Sequence, residues 1–239
     1  MTRILFASGP GRCGTQTLGT QLGNIKGVYS FHEGISLWKF VRTKCPPAPH
    51  LCWAENLDMT RYNEQALEYR TKIFLAGQKA YVEAAHYFAP NIDLVEDEFP
   101  SAKIIHLYRN PIEVINSYLS HAQWRIYHEG KHERSKKMWT WWGDCFPVNK
   151  LIHSREEGFA YYWQLANTSL ANSRLERLLV HTRELKSAET WKKILDFGEI
   201  EGSIPNPKLV YNPTPPKHLR LEVTDAVRAA AEKFCTWRP

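Results

Sequence analysis

Gly9, Gly11 and Gly14 fall in one short loop, directly after the apolar run Ile4-Leu5-Phe6-Ala7 and directly before Thr15-Gln16-Thr17-Leu18. A glycine-rich turn between a strand and a helix exposes backbone N–H groups at the positive end of the helix dipole, which makes a cradle for phosphate or sulfate. Glycine removes the side chains that would block close approach of an anion, while Thr15 and Thr17 add hydroxyl donors. Arg12 places a cation inside the same loop. A second cluster lies downstream, where Arg109 closes the run Lys103–Tyr108 and Ser117 follows the dipeptide Asn110-Pro111. A guanidinium fork and a hydroxyl can clamp a phosphate between them. By helical spacing alone Ser117 points away from the apolar stripe, so a plain solvent-facing serine is the competing expectation. A third pair, His32-Glu33, follows the segment Gly27–Phe31, and either side chain can accept a proton.

The departures from a nucleotide triphosphatase are informative. Gly9, four residues and Gly14 match the start of an ATP-phosphate loop, but the next residue is Thr15, where that pattern needs lysine. The run Lys103–Tyr108 ends in Arg109 and not in an acidic residue that helps to hold Mg²⁺. Two arginines stand where a kinase has metal and lysine, so the expectation is an anion site that needs no metal. A P-loop-type kinase of unusual sequence is the nearest alternative. A nucleic-acid-binding module is the third reading, built on the Lys-, Arg- and Trp-rich stretch Tyr127–Asn149.

These residues need elements to position them. Arg3–Ser8 reads as a buried strand, followed by the loop and a helix from about Gln16 to Leu22. Gly27–Phe31 reads as a second strand, Thr60–Ala76 as a helix stopped by Gly77, and Tyr81–Glu83 as a short third strand. Lys103–Arg109 is the clearest strand. It ends at Asn110-Pro111, an N-cap followed by a proline at the first helical position. Ile112, Ile115, Leu119 and Ala122 form a core-facing stripe on the helix that follows. A long helix is expected over Glu157–Leu175, a strand at Leu178–His181, a helix from Ser187 to about Phe197, and a last helix after Thr224. Strands alternating with helices predict an α/β fold, a mostly parallel central sheet flanked by helices. The whole chain, 1–239, reads as one domain, with loops at Cys45–Pro49 and Pro205–Pro216 and a basic, Trp-rich insertion around 127–149.

Two segments resemble one family. Phe6–Leu18 (FASGPGRCGTQTL) resembles the 5′-phosphosulfate-binding loop of sulfotransferases dependent on PAPS (3′-phosphoadenosine 5′-phosphosulfate), where a Lys/Arg-Ser-Gly-Thr run leads into a helix. Phe99–Leu119 (FPSAKIIHLYRNPIEVINSYL) resembles the 3′-phosphate-binding strand and helix of the same family. The resemblance, to carbohydrate-type and bacterial members above all, implies a P-loop NTPase-like sulfotransferase fold. It implies that the amides of Arg12, Cys13, Gly14, Thr15, Gln16 and Thr17 hold the phosphosulfate, with Arg12 as the loop cation of the reaction. Arg109 and Ser117 then hold the 3′-phosphate, and the released product is PAP, 3′,5′-bisphosphoadenosine. Cys13 departs from the commoner serine and puts a thiol where a helix dipole can lower its pKa. Lys217 and His218 are candidates for a third donor-binding segment. The implied reaction is in-line transfer of a sulfuryl group to a hydroxyl or amine of a small-molecule or glycan acceptor. Cytosolic small-molecule members of the family use a histidine base, and carbohydrate-type and many bacterial members a glutamate. Glu33 is the expected general base ahead of His32, and Glu83 and His106 are weaker candidates.

Composition adds bounds. The net charge of +6 favours an anionic ligand without choosing among them. The five cysteines, Cys13, Cys45, Cys52, Cys145 and Cys235, are odd in number and scattered, which fits a reducing cytoplasm and no disulfide framework. His50 and Cys52 lack a second ligand pair, so no metal site is expected there. No apolar run is long enough to span a membrane.

Overall fold

The computed structural model describes residues 3–32, 78–120, 153–209 and 221–239. Five strands form one sheet: β1 (Arg3–Ser8), β2 (Val28–His32), β3 (Ala80–Ala84), β4 (Lys103–Tyr108) and β5 (Glu176–His181). All pairings are parallel and the spatial order is β2-β3-β1-β4-β5, so the α/β architecture expected from the sequence is the one observed. Six α-helices are described: α1 (Thr15–Gly23), α2 (Ile92–Glu98), α3 (Pro111–Ser120), α4 (Arg155–Ala171), α5 (Ala188–Phe197) and α6 (Asp225–Phe234). Two 3₁₀ turns, His86–Asn91 and Thr182–Lys186, follow β3 and β5.

The side-chain alternation of a strand divides the core between the two faces of the sheet. Leu5 and Ala7 of β1 face α1 and α5, joining Val82, Ile105, Leu107, Leu18, Leu22 and Trp191 in one buried cluster. Phe6 and Ile104 face the opposite way, onto Phe88, Phe99, Ala166 and Leu170. A third cluster joins α3, α4 and α6 through Val114, Ile115, Phe159, Trp163 and Val227. Trp191 is wholly buried, and its indole N–H is satisfied by the Leu185 carbonyl at 2.8 Å.

Local chemistry sets the helix starts. Asn110 Oδ1 accepts the N–H groups of Ile112 (3.0 Å) and Glu113 (3.4 Å), and Pro111 opens α3, as the dipeptide predicts. Such a cap contributes about 1 kcal/mol. Thr224 caps α6 in the same way, its side chain accepting from Val227 N–H at 3.3 Å. The long helix begins at Arg155 and ends at Ala171, earlier at both ends than its expected span. Ser154 caps it by accepting from Glu157 N–H (3.2 Å), and Glu157 reaches back to His153 N–H (2.7 Å). Its early end frees Leu175 for the turn and lets β5 begin at Glu176, which pairs with Lys103 across the sheet and bridges it at 3.2 Å. Residues 33–77, 121–152 and 210–220 lie outside the described regions. They include Glu33, His50, Cys52, the helix expected at Thr60–Ala76, Ala122, the basic Trp-rich stretch, Lys217 and His218. Among the described residues no helix is long and apolar enough to cross a membrane, and no group of His, Cys, Asp and Glu side chains is arranged to hold a metal ion.

Candidate active site

β1 delivers the glycine loop to the C-terminal edge of the sheet, between β3 and β4. The loop is pressed against β4, and a methyl group at Gly9 would stand 2.1 Å from the Leu107 carbonyl oxygen. It then curls through left-handed backbone at Gly11 (φ 74°), Arg12 (φ 53°) and Gly14 (φ 95°). Glycine adopts this conformation freely, whereas Arg12 carries a cost there and is held by its neighbours. Arg12 Nε donates to Ser117 Oγ at 3.1 Å, and Arg109 Nη1 donates to the Arg12 carbonyl at 3.0 Å. The two sequence clusters therefore meet in space.

Other loop carbonyls are also bound. Tyr118 Oη donates to the Pro10 carbonyl (2.9 Å) and Thr182 Oγ1 to the Cys13 carbonyl (2.8 Å), while the Gly14 carbonyl accepts from Leu18 N–H (3.0 Å) inside α1. In trans peptides each N–H points opposite the preceding carbonyl, so amides of the loop turn away from these donors. The first amides of α1 are those of Thr15, Gln16 and Thr17, at the positive end of the helix dipole. Thr15 and Thr17 are buried at this edge.

Two sequence expectations change here. Ser117 is not solvent-facing: it is buried at 6 % exposure because α3 turns it toward Arg12. Cys13 is not activated. Its sulfur is fully buried, and burial pushes the thiol up to about 12, outweighing the amides of Gly11, Cys13 and Thr15 and the charge of Arg109. Cys13 in the folded protein is therefore expected to resist iodoacetamide at pH 8 and to react only after unfolding. Mass spectrometry of the labelled peptide checks this, and rapid native labelling would show that the thiol is not enclosed.

Arg109 has partners that sequence reasoning missed. Its Nε donates to Glu113 Oε2 at 2.8 Å, and Glu113 also takes the guanidinium of Arg183 from the turn after β5. Burial works to raise the Glu113 pKa, but its hydrogen bonds and charge pairing with the two arginines outweigh this and hold the carboxyl below its ordinary value. The i, i+4 spacing of Arg109 and Glu113 was the available signal for this contact. Nothing local pointed to Arg183.

His106, Glu83 and His32 lie on β4, β3 and β2. His106 is wholly buried on the α4 face, with Nε2 donating to Asn167 Oδ1 at 2.9 Å and Trp237 tilted against its ring. Burial pushes its pKa down to about 4, against the opposing effect of the Asn167 bond. Glu83 is buried in β3, where Tyr81 Oη donates to it at 2.8 Å. His32 ends β2 with Nδ1 beside the Ala84 carbonyl at 3.0 Å. However, β3 separates β2 from β1, so His32 is one strand removed from the loop.

The strand next to the loop is β3, and the first side chain beyond its end at the same edge that can move a proton is His86. Ser8 Oγ donates to the Ala85 carbonyl (2.7 Å), tying the ends of β1 and β3 together. A Cβ at Gly11 would lie 3.6 Å from His86 Cβ. Sequence reasoning passed over this histidine because it ended the third strand at Glu83, short of the observed Ala84.

A groove of about 650 Å³ opens on the far side of Arg109, where Tyr108, Trp163 and Trp237 face Arg228 and Arg238. Trp163 Nε1 donates to the Arg109 carbonyl at 2.9 Å, which fixes the backbone between groove and loop.

No family model matches the sequence, and no curated protein matches it. In three dimensions the chain is similar to the sulfotransferase domain from the curacin biosynthetic pathway, with a TM-score of 0.53 at 15% identity over 100% of this chain and 99% of that one. It is similar to the sulfotransferase from Alicyclobacillus acidocaldarius to the same degree, with a TM-score of 0.53 at 15% identity over 98% of this chain and 95% of that one. At this identity the likeness is one of architecture: the chain has the sulfotransferase fold.

Proposed function

We propose that the protein is a sulfotransferase that moves a sulfuryl group from PAPS to a hydroxyl or amine of a small-molecule or glycan acceptor. The observation that carries this reading is the meeting of Arg12, Arg109 and Ser117 at one loop, from segments far apart in the chain. The amides of Arg12 through Thr17 hold the 5′-phosphosulfate at the start of α1, with the Arg12 guanidinium beside the bridging oxygen. Arg109 and Ser117 hold the 3′-phosphate. The acceptor oxygen or nitrogen attacks sulfur in line, its bond to sulfur forms as the sulfur–oxygen bond to the phosphate breaks, and PAP leaves. Arg12 stabilises the charge that develops on the departing phosphate.

The acceptor proton goes to a base at the same edge of the sheet. His86 is favoured by its place beside β1, since catalytic groups of parallel sheets gather at the C-terminal ends of adjacent strands. Glu33, the residue after β2, is the second reading and rests on the family resemblance.

Calorimetric titration with PAP and with ATP, each with and without Mg²⁺, tests the donor. Metal-independent binding of PAP that is at least about tenfold tighter than that of ATP is the expected result. Mg²⁺-dependent binding of ATP with none of PAP would replace the sulfotransferase by a kinase.

A further inference from the structure

Tyr162 contacts His86 twice. Its ring is buried at 1 % exposure in α4, and its Oη lies 2.8 Å from His86 Nδ1 and 3.1 Å from the His86 carbonyl oxygen. The two rings meet edge to face, with centroids 6.1 Å apart. A phenol carries one hydrogen, so these two contacts cannot both be donated by the tyrosine. Donation to Nδ1 would leave the carbonyl and the phenol oxygen 3.1 Å apart with no proton between them, two lone-pair centres repelling in a half-buried place. Donation to the carbonyl instead lets the phenol oxygen accept from Nδ1–H, and both contacts become hydrogen bonds.

We infer that Tyr162 is a positioning residue that holds neutral His86 in the tautomer with the proton on Nδ1, leaving the lone pair on Nε2. The histidine reads its own backbone through the phenol: carbonyl, hydroxyl and ring nitrogen form one closed relay. Which nitrogen of a histidine accepts a proton is set by the bond that the other one makes. The consequence for chemistry rests on the reading of His86 as the base, whereas the tautomer itself rests only on the hydrogen bonds. In the transfer step Nε2 takes the acceptor proton as the oxygen–sulfur bond forms. The resulting imidazolium keeps its Nδ1–H bond to Tyr162, and the proton passes to solvent after PAP leaves.

The test is the tautomer, read by two-bond ¹H–¹⁵N correlation in uniformly ¹⁵N-labelled full-length protein above the histidine pKa. The His86 ring is assigned as the signal lost in His86→Gln. In the wild type, Nδ1 should resonate as the protonated nitrogen and Nε2 as the bare one. In Tyr162→Phe the Nε2–H form should become the major one. Turnover should fall about tenfold, a fraction of the roughly 10²- to 10⁴-fold that a base contributes, with the KM for PAPS unchanged. A protonated Nε2 in the wild type overturns the inference without recourse to any variant, and so does an unchanged tautomer in Tyr162→Phe. A switched tautomer with undiminished turnover supports the role of Tyr162 and removes His86 from the base position.

Discussion

His86→Gln is expected to lower turnover by roughly 10²- to 10⁴-fold, the contribution of a general base, while leaving PAP affinity within about twofold. Glutamine keeps most of the side chain's reach and polarity but cannot accept a proton at neutral pH. In the proposed arrangement the donor is held by the loop amides, Arg109 and Ser117, and His86 is a neighbour of the loop, with its Cβ 3.6 Å from where a Cβ at Gly11 would lie. Donor binding and proton removal are thus separable at this position. Glu33→Gln is the paired experiment. Single-turnover rates for both variants, with donor affinity measured alongside, assign the base: a collapse in Glu33→Gln with near-normal His86→Gln would transfer the role to Glu33. Equal collapse in both would mean that the two groups act on one proton path.

A large loss of stability should come from Gly9→Ala, a change of one methyl group. That methyl would sit 2.1 Å from the backbone carbonyl of Leu107 and 2.6 Å from the Cys13 sulfur. Leu107 lies within β4, which is hydrogen-bonded on both sides, so the carbonyl cannot retreat without breaking the sheet. The loop must lift instead. Overpacking of this kind costs about 3 kcal/mol, and in a chain of this size that lowers Tm by about 6–12 °C. PAP binding should weaken more than about tenfold in the same variant, because the lifted loop loses its register with Arg109 and α1. Gly23→Ala is the control. It adds a methyl at the end of α1 with its nearest contact at 3.3 Å, and should change stability by less than about 1 kcal/mol. Equal melting temperatures for Gly9→Ala and wild type would show that the loop does not lie against β4.

The parts of the fold written in short-range chemistry were legible beforehand. The run Arg3–Ser8, the glycine loop and Asn110-Pro111 announced β1, the bend after it and the start of α3 through periodicity, φ preference and capping. Thr224 announced α6 by the same reasoning. Strand order is a different kind of information. Nothing in Gly27–Phe31 or Tyr81–Glu83 says which of them lies beside β1, because that is decided by how α1 and the later helices pack on the two faces. The pair His32-Glu33 at the end of β2 is conspicuous in the sequence, whereas His86 stands out as a candidate only once β3 is placed beside β1. The Arg12–Ser117 contact was similarly hidden, since helical spacing turns Ser117 away from the stripe of Ile112, Ile115 and Leu119. It does not say that a loop from the other end of the chain lies on that side. Glu113 was within reach of an i, i+4 reading from Arg109, but Arg183 belongs to a turn after β5 and is a purely tertiary neighbour.

The carbonyls of Pro10, Arg12 and Cys13 are held by donors from α3, the end of β4 and the turn after β5. These anchors come from three separate lengths of chain, so the loop's shape is settled when the sheet and its helices assemble. The freedom a glycine-rich segment would otherwise retain is surrendered at that moment and charged to folding. In the proposed reading, an anion arriving later would meet amides that are already fixed, with little conformational entropy left to lose on binding. Affinity at this loop is then governed by charge and hydrogen-bond geometry, with the ordering cost already met by the fold.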